Sequence, residues 1–261
     1  MNPFYFGSRE RRLFGLYEPA RAPRRCPRAA VICQPWGQEY LRAHRSVRQL
    51  ALTLAAAGFD TLRFDYFGTG DSAGESTDVT LEGCQCDVEA AVEEVKASSG
   101  AERTTLVGLR MGGYLAALES ARRPEEIDAL VMWDPVISGQ EHLRELHQMA
   151  AVNVGSGSPL QRAREIGGGY EILGFPLSEA STRELDGVDL SAQLHSLPDR
   201  ALLVTSHRLP SQASFATAFS ARGLVLPIET VNGPLAWIEN RHTGVGAIPV
   251  NVLRRIVEWL G

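Results

Sequence analysis

Gly108-Leu109-Arg110-Met111-Gly112 follows the short apolar run Thr104-Thr105-Leu106-Val107 and opens a stretch of helical periodicity over residues 110–121. The spacing is that of G-x-S-x-G, in which a strand turns sharply into a helix and holds the central side chain above the sheet. The two glycines let such a turn close without a Cβ clash. Here the centre is Arg110, a permanently charged guanidinium that forms no covalent acyl intermediate. Met111 follows it, so the backbone N–H that would stabilise a developing oxyanion is retained.

Strand-like and helix-like runs alternate outward from this point. Residues 4–6 and 12–17 read as an antiparallel hairpin, and 29–33 as a buried strand ending before Pro35. Residues 43–57 place Val47, Leu50, Ala51 and Leu54 at helical spacing, closed by Gly58. A strand at 61–65, a helix at 78–97, a strand at 104–107, the helix after the elbow and a strand at 129–133 continue the pattern. It resumes at 201–205 and 224–231 and ends in a helix over 249–260. Alternation of this kind predicts right-handed crossovers and a mostly parallel, twisted α/β sheet flanked by helices. Between 137 and 198 the alternation fails, and glycine clusters such as Gly155-Ser156-Gly157 and Gly167-Gly168-Gly169 appear. A structureless loop of that length is improbable inside a compact domain, so a small cap is expected there. The predicted organisation is core at 1–136, cap at 137–198 and core again at 199–261.

The chain has 261 residues, 44% of them hydrophobic, and a net charge of −5, which disfavours nucleic acid as its main partner. Arginines near the N-terminus are interleaved with Pro and Ala and read as a solvated strand and turn. No apolar stretch is long enough for a membrane span, and no leader is expected at the start. Cys26, Cys33, Cys84 and Cys86 show neither a metal-ligand cadence nor a disulfide framework. Free thiols in a cytoplasmic setting, without metal or cofactor, are the expectation.

Three segments carry a resemblance to α/β-hydrolase-fold proteins, specifically to serine aminopeptidase-like and exosortase-associated hydrolases. They are Gln34-Pro35-Trp36-Gly37-Gln38-Glu39-Tyr40, then Leu62-Arg63-Phe64-Asp65-Tyr66-Phe67-Gly68-Thr69-Gly70-Asp71-Ser72-Ala73-Gly74, and the elbow itself. Some exosortase-associated relatives also carry Gly-Leu-Arg-Leu-Gly at the elbow. The resemblance implies that Trp36 or Gly37 supplies one oxyanion-hole N–H and Met111 the other. It also implies that Asp71 and Ser72 serve a turn.

A Ser-His-acid arrangement needs an acid after a late strand and a histidine before the last helix. After 201–204 the chain reads Thr205-Ser206-His207, without a carboxylate. Asp134, ending Val131-Met132-Trp133-Asp134-Pro135, is the alternative acid, and His242 the expected base. An Asp-Pro turn and an idle loop histidine are the plainer readings. His207 is the rival base and His44 a weaker one, while His142, His147 and His195 read as cap or surface residues. Glu39 either pairs with Arg42 or Arg110 or lines the site.

Arg110 at a helix N-terminus suits a carboxylate, an enolate or another anion. The alternative is that it turns to a cap carboxylate such as Glu141 and leaves an inert fold. Three functions follow from these readings. One is base-assisted elimination or isomerisation of a small acyl or carbonyl substrate, anionic or carrier-bound, as in lyases and epimerases of specialised biosynthesis. A second is ester or thioester hydrolysis by His-activated water, and the third is non-catalytic binding or scaffolding.

Overall fold

The computed structural model describes residues 1–22, 26–153, 164–166, 169–206, 210–238 and 246–261. Its main sheet has eight strands: β1 (Asn2–Gly7), β2 (Arg12–Glu18), β3 (Arg28–Cys33), β4 (Asp60–Phe64), β5 (Arg103–Leu109), β6 (Ile127–Trp133), β10 (Arg200–Thr205) and β11 (Ile228–Thr230). Their order across the sheet is β1-β2-β4-β3-β5-β6-β10-β11. The hairpin pairs antiparallel, β2 also meets β4 antiparallel, and every other neighbour pair is parallel.

Five helices flank the sheet: α1 (Gln38–Ala56), α2 (Leu81–Ser99), α3 (Met111–Arg122), α7 (Pro210–Ala221) and α8 (Val250–Leu260). Side chains alternate across each strand, so the core divides into two layers. On one face Leu62, Phe64, Leu106, Leu130 and Leu203 pack against Val88, Val92 and Val95 of α2, Leu115 of α3, and Phe215 and Phe219 of α7. On the other, Ile32, Val107, Val131, Trp133 and Leu202 meet Val47, Leu50 and Leu54 of α1 and Leu253, Ile256 and Leu260 of α8. Each fully buried side chain of this size contributes roughly 1.5–3 kcal/mol, and that term fixes the register of every helix against the sheet.

Between β6 and β10 the chain forms α4 (Gly139–Asn153), a three-stranded antiparallel sheet of β7 (Arg164–Ile166), β8 (Gly169–Ile172) and β9 (Phe175–Leu177), and the short helices α5 (Glu179–Asp186) and α6 (Leu190–Gln193). Several boundaries differ from the sequence expectation, among them the start of α1, at Gln38 where residue 43 was expected. The strand expected over 224–231 is only three residues long: pairing with β10 begins where the Leu203 N–H donates to the Pro227 carbonyl, and Leu224 to Leu226 lie outside the pairing. The helix expected from residue 78 starts at Leu81, after a short 3₁₀ turn at Ser76–Asp78, because the Thr80 side chain accepts the Gly83 N–H and caps it there. The glycine cluster at 155–157 and Gly167 and Gly168 lie outside the described residues.

Candidate active site

The site forms where β3, β5 and β6 end side by side. At the elbow Arg110 is the N-cap of α3 with φ 56° and ψ −120°. The flanking glycines are dictated by space. A Cβ on Gly108 would lie 2.2 Å from the Gly112 carbonyl oxygen, and one on Gly112 only 2.1 Å from the Cys33 oxygen. The start of α3 therefore presses against the end of β3 and the loop leading to α1. Asp134 is a second non-glycine residue of positive φ, at 42°, one strand away. Each such conformation costs about 1–3 kcal/mol and persists only where the surroundings enforce it.

The Arg110 side chain is 4% exposed and turned inward. Its Nε donates to Glu39 Oε1 at 2.9 Å, and Nη2 donates to Glu145 Oε2 and approaches His142 Nδ1 at 3.3 Å. Nη1 faces the Asp134 carbonyl oxygen at 3.5 Å, and the guanidinium lies 4.8 Å from the Trp237 ring centre. Burial disfavours the charge, but Glu39 and Glu145 outweigh it and raise the Arg110 pKa. Burial also pushes the Glu145 carboxyl up, against hydrogen bonding from His142 and the charge and hydrogen bond of Arg110; the outcome is a pKa of about 2. Glu39 is fully buried, and its Oε2 has no hydrogen-bond partner. The cluster thus holds one guanidinium against two carboxylates, with a histidine as neighbour.

The Asp134 carboxylate accepts the Ser206 N–H at 2.9 and 3.1 Å, so the end of β10 grips the acid at the end of β6. Gly37, φ 63°, is the N-cap of α1. The structure therefore brings Trp36, Gly37, Glu39, Arg110, Met111 and Asp134 to one sheet end. His242 and His207 lie outside the described residues. His44 is exposed on α1, and His147 and His195 are exposed too. Ser72 donates to the Asp65 oxygen at 2.6 Å and accepts the Phe14 N–H, holding a turn.

Sequence reasoning read His142 as a cap or surface residue; it lies on α4, in the segment expected as cap, and is buried against Arg110 and not exposed. The alternative reading of Arg110 was a pairing with a cap carboxylate such as Glu141; the structure pairs it with Glu145, one turn further along α4, as well as with Glu39. The spacing His142, Glu145, Leu146 marks one helical face, a signal present in the sequence but overshadowed by the glycine-rich stretch after it.

Two small spaces flank the guanidinium. One, about 30 Å³, is lined by Trp36, Gly37, His142, Leu146, Phe175 and Leu177; the other, about 10 Å³, by Arg110, Pro135, Ser138, His142, Glu145 and Ser211. A wider groove of about 360 Å³ runs outward past Ser138, Ser211, Asp186 and Asp189. Among the described residues no His/Cys/Asp/Glu group is arranged to hold a metal ion, and no helix is long and apolar enough to cross a membrane.

The family model described as serine aminopeptidase, S33, matches residues 27–164. The structure is similar to Est1E from Butyrivibrio proteoclasticus with ferulic acid bound, at 19% identity and a TM-score of 0.67 over 98% of this chain and 99% of that one. It is similar to hypothetical protein PA2218 from Pseudomonas aeruginosa, at 19% identity and a TM-score of 0.67 over 99% and 92%. The thioesterase domain from the curacin biosynthetic pathway aligns at 13% identity with a TM-score of 0.61 over 100% and 97%. The search of curated proteins matched none. At these identities the likeness to solved structures shows the fold.

Proposed function

From the premise that this chain belongs to the serine aminopeptidase (S33) family and has the α/β-hydrolase fold, we propose that it is an atypical member without a nucleophilic serine, acting on a small acyl or carbonyl substrate with an anionic group. The observation that carries the reading is the guanidinium at the elbow, buried, strained and charged where a hydroxyl would be needed for acyl transfer. Chemistry without a covalent intermediate then falls to a base and to donors of fixed geometry. The Met111 N–H and the loop at Trp36 and Gly37 stabilise the oxyanion of an enolate, and His242, oriented by Asp134, removes a proton for elimination or isomerisation.

Both ionic partners of Arg110 constrain how substrate enters. Glu39 is a permanent partner, fully buried on α1. Glu145 is one-third exposed and comes from the segment after β6. A substrate anion replaces Glu145, exchanging one carboxylate for another, and α4, which carries Glu145, gives way to admit it. A neutral substrate offers no such exchange, and that selects for charge.

One observation favours a second reading, a non-catalytic binding protein: the spaces beside Arg110 hold no more than about 30 Å³. A serine-directed fluorophosphonate and generic aryl esters sort the possibilities. No labelling and no ester turnover, with proton–deuterium exchange at the α-carbon of an anionic acyl compound, supports elimination or isomerisation. Ester turnover without labelling identifies attack by activated water instead, and covalent labelling overturns the reading of the elbow. Absence of both turnover and exchange favours binding. Arg110→Ala is expected to abolish exchange; full retention counts against the proposal.

A further inference from the structure

We propose that Arg63, with Arg48 beside it, forms a binding site for a phosphoryl anion on the outer flank of α1, separate from the elbow. Arg63 lies on β4, paired with Leu16 of β2 and Ile32 of β3. Directly paired residues share a face of the sheet, so Arg63 stands on the side covered by α1, where β2 also places Phe14 and Glu18.

Arg63 is 9% exposed. Its Nε is buried without a hydrogen-bond partner, and its Nη2 reaches only the thioether of Met1, at 3.5 Å. A thioether is a weak acceptor for a full charge. Among the described residues no carboxylate pairs with Arg63, and the two nearby ones are engaged elsewhere. Glu18 pairs with Arg21 at 2.9 Å. Asp65 accepts from Gln34, from the Tyr40 hydroxyl and from the Asp71 N–H.

Burial pushes the Arg63 pKa down; the charges of Asp65 and Glu18 raise it in part, and the smaller influence of Arg48 lowers it again. Arg45 and Arg48 are exposed three residues apart on α1, and neither is ion-paired among the described residues. A buried guanidinium with an unsatisfied Nε is anomalous in a chain of net charge −5. A buried charge without a partner is costly, and an external anion removes that cost. Guanidinium forks take oxyanions in bidentate fashion. Two forks from different elements suit the three oxygens of a phosphoryl group better than the two of a carboxylate.

Thermal unfolding and titration calorimetry with inorganic phosphate, against sodium chloride at equal ionic strength, test the site. The expected result is a saturable rise in Tm with phosphate only, abolished in Arg63→Met and with affinity lowered about tenfold in Arg48→Gln, the effect of losing one charge-assisted hydrogen bond. Without phosphate, Arg63→Met is expected to melt no lower than the parent protein, whereas a purely structural arginine would lower it. Adenosine monophosphate in a parallel arm distinguishes the source: tighter binding than inorganic phosphate assigns an ester, equal binding a free anion. Identical responses to phosphate and chloride, or a phosphate response that survives Arg63→Met, overturn the proposal. Should Arg63→Met fail to fold, Arg48→Gln alone decides, an unchanged phosphate affinity overturning it.

Discussion

Two arginines are buried at the ends of neighbouring parts of the same sheet, and they are served in opposite ways. Arg110 has two carboxylates, a histidine, a carbonyl oxygen and an indole face around it. Arg63 has a thioether and an orphan Nε. Burial alone therefore says little about what a charge is for. The first guanidinium joins α1, α3 and α4 into one unit and is costly to lose, while the second is a charge the fold carries without a carboxylate in contact.

The largest effect expected from this contrast is that of Arg110→Met, which leaves Glu39 buried and unpaired. A loss of about 3–5 kcal/mol in urea unfolding is expected. Adding Glu39→Leu to it should recover most of that loss, since a buried pair replaced by apolar groups is often neutral. If Arg110→Met alone is harmless, the elbow cluster is not the cross-link described above. Next in size, Arg63→Met in phosphate-free buffer is expected to raise stability by roughly 1–3 kcal/mol, the cost of a polar group buried without its partner. A clear fall would erase the contrast.

The smallest effect belongs to Glu145, whose side chain is one-third exposed. Glu145→Gln is expected to cost about 1 kcal/mol or less near neutral pH. Its carboxyl is held at about 2, below the ordinary 4.5, so its contribution is complete above pH 4.5 and fades as pH falls from there toward 2. Acid titration of stability should show a shallower loss in that window for Glu145→Gln than for the parent. Parallel curves would mean that Glu145 and Arg110 do not pair in solution.

Much of the frame was legible because periodicity and close packing leave few alternatives. The run Leu106-Val107 before Gly108 announces a strand with one residue on each core layer, and the two glycines announce the contact of α3 with Cys33. Glu39 was legible as a partner of Arg110 by its place beside the oxyanion loop. Glu145 and His142 were not, because they reach the site from a segment whose position is set by tertiary packing rather than by a repeating pattern. Arg63 was read as part of a family motif and its isolation could not be seen, since a missing partner leaves no trace in sequence.

The ends of the eight-stranded sheet have a consequence for how copies of this chain meet. At one border β11 offers three residues of backbone, and at the other β1 carries Pro3, which has no N–H to give. Neither rim is a good template for a foreign strand. Self-assembly by strand addition is disfavoured at both borders of the main sheet.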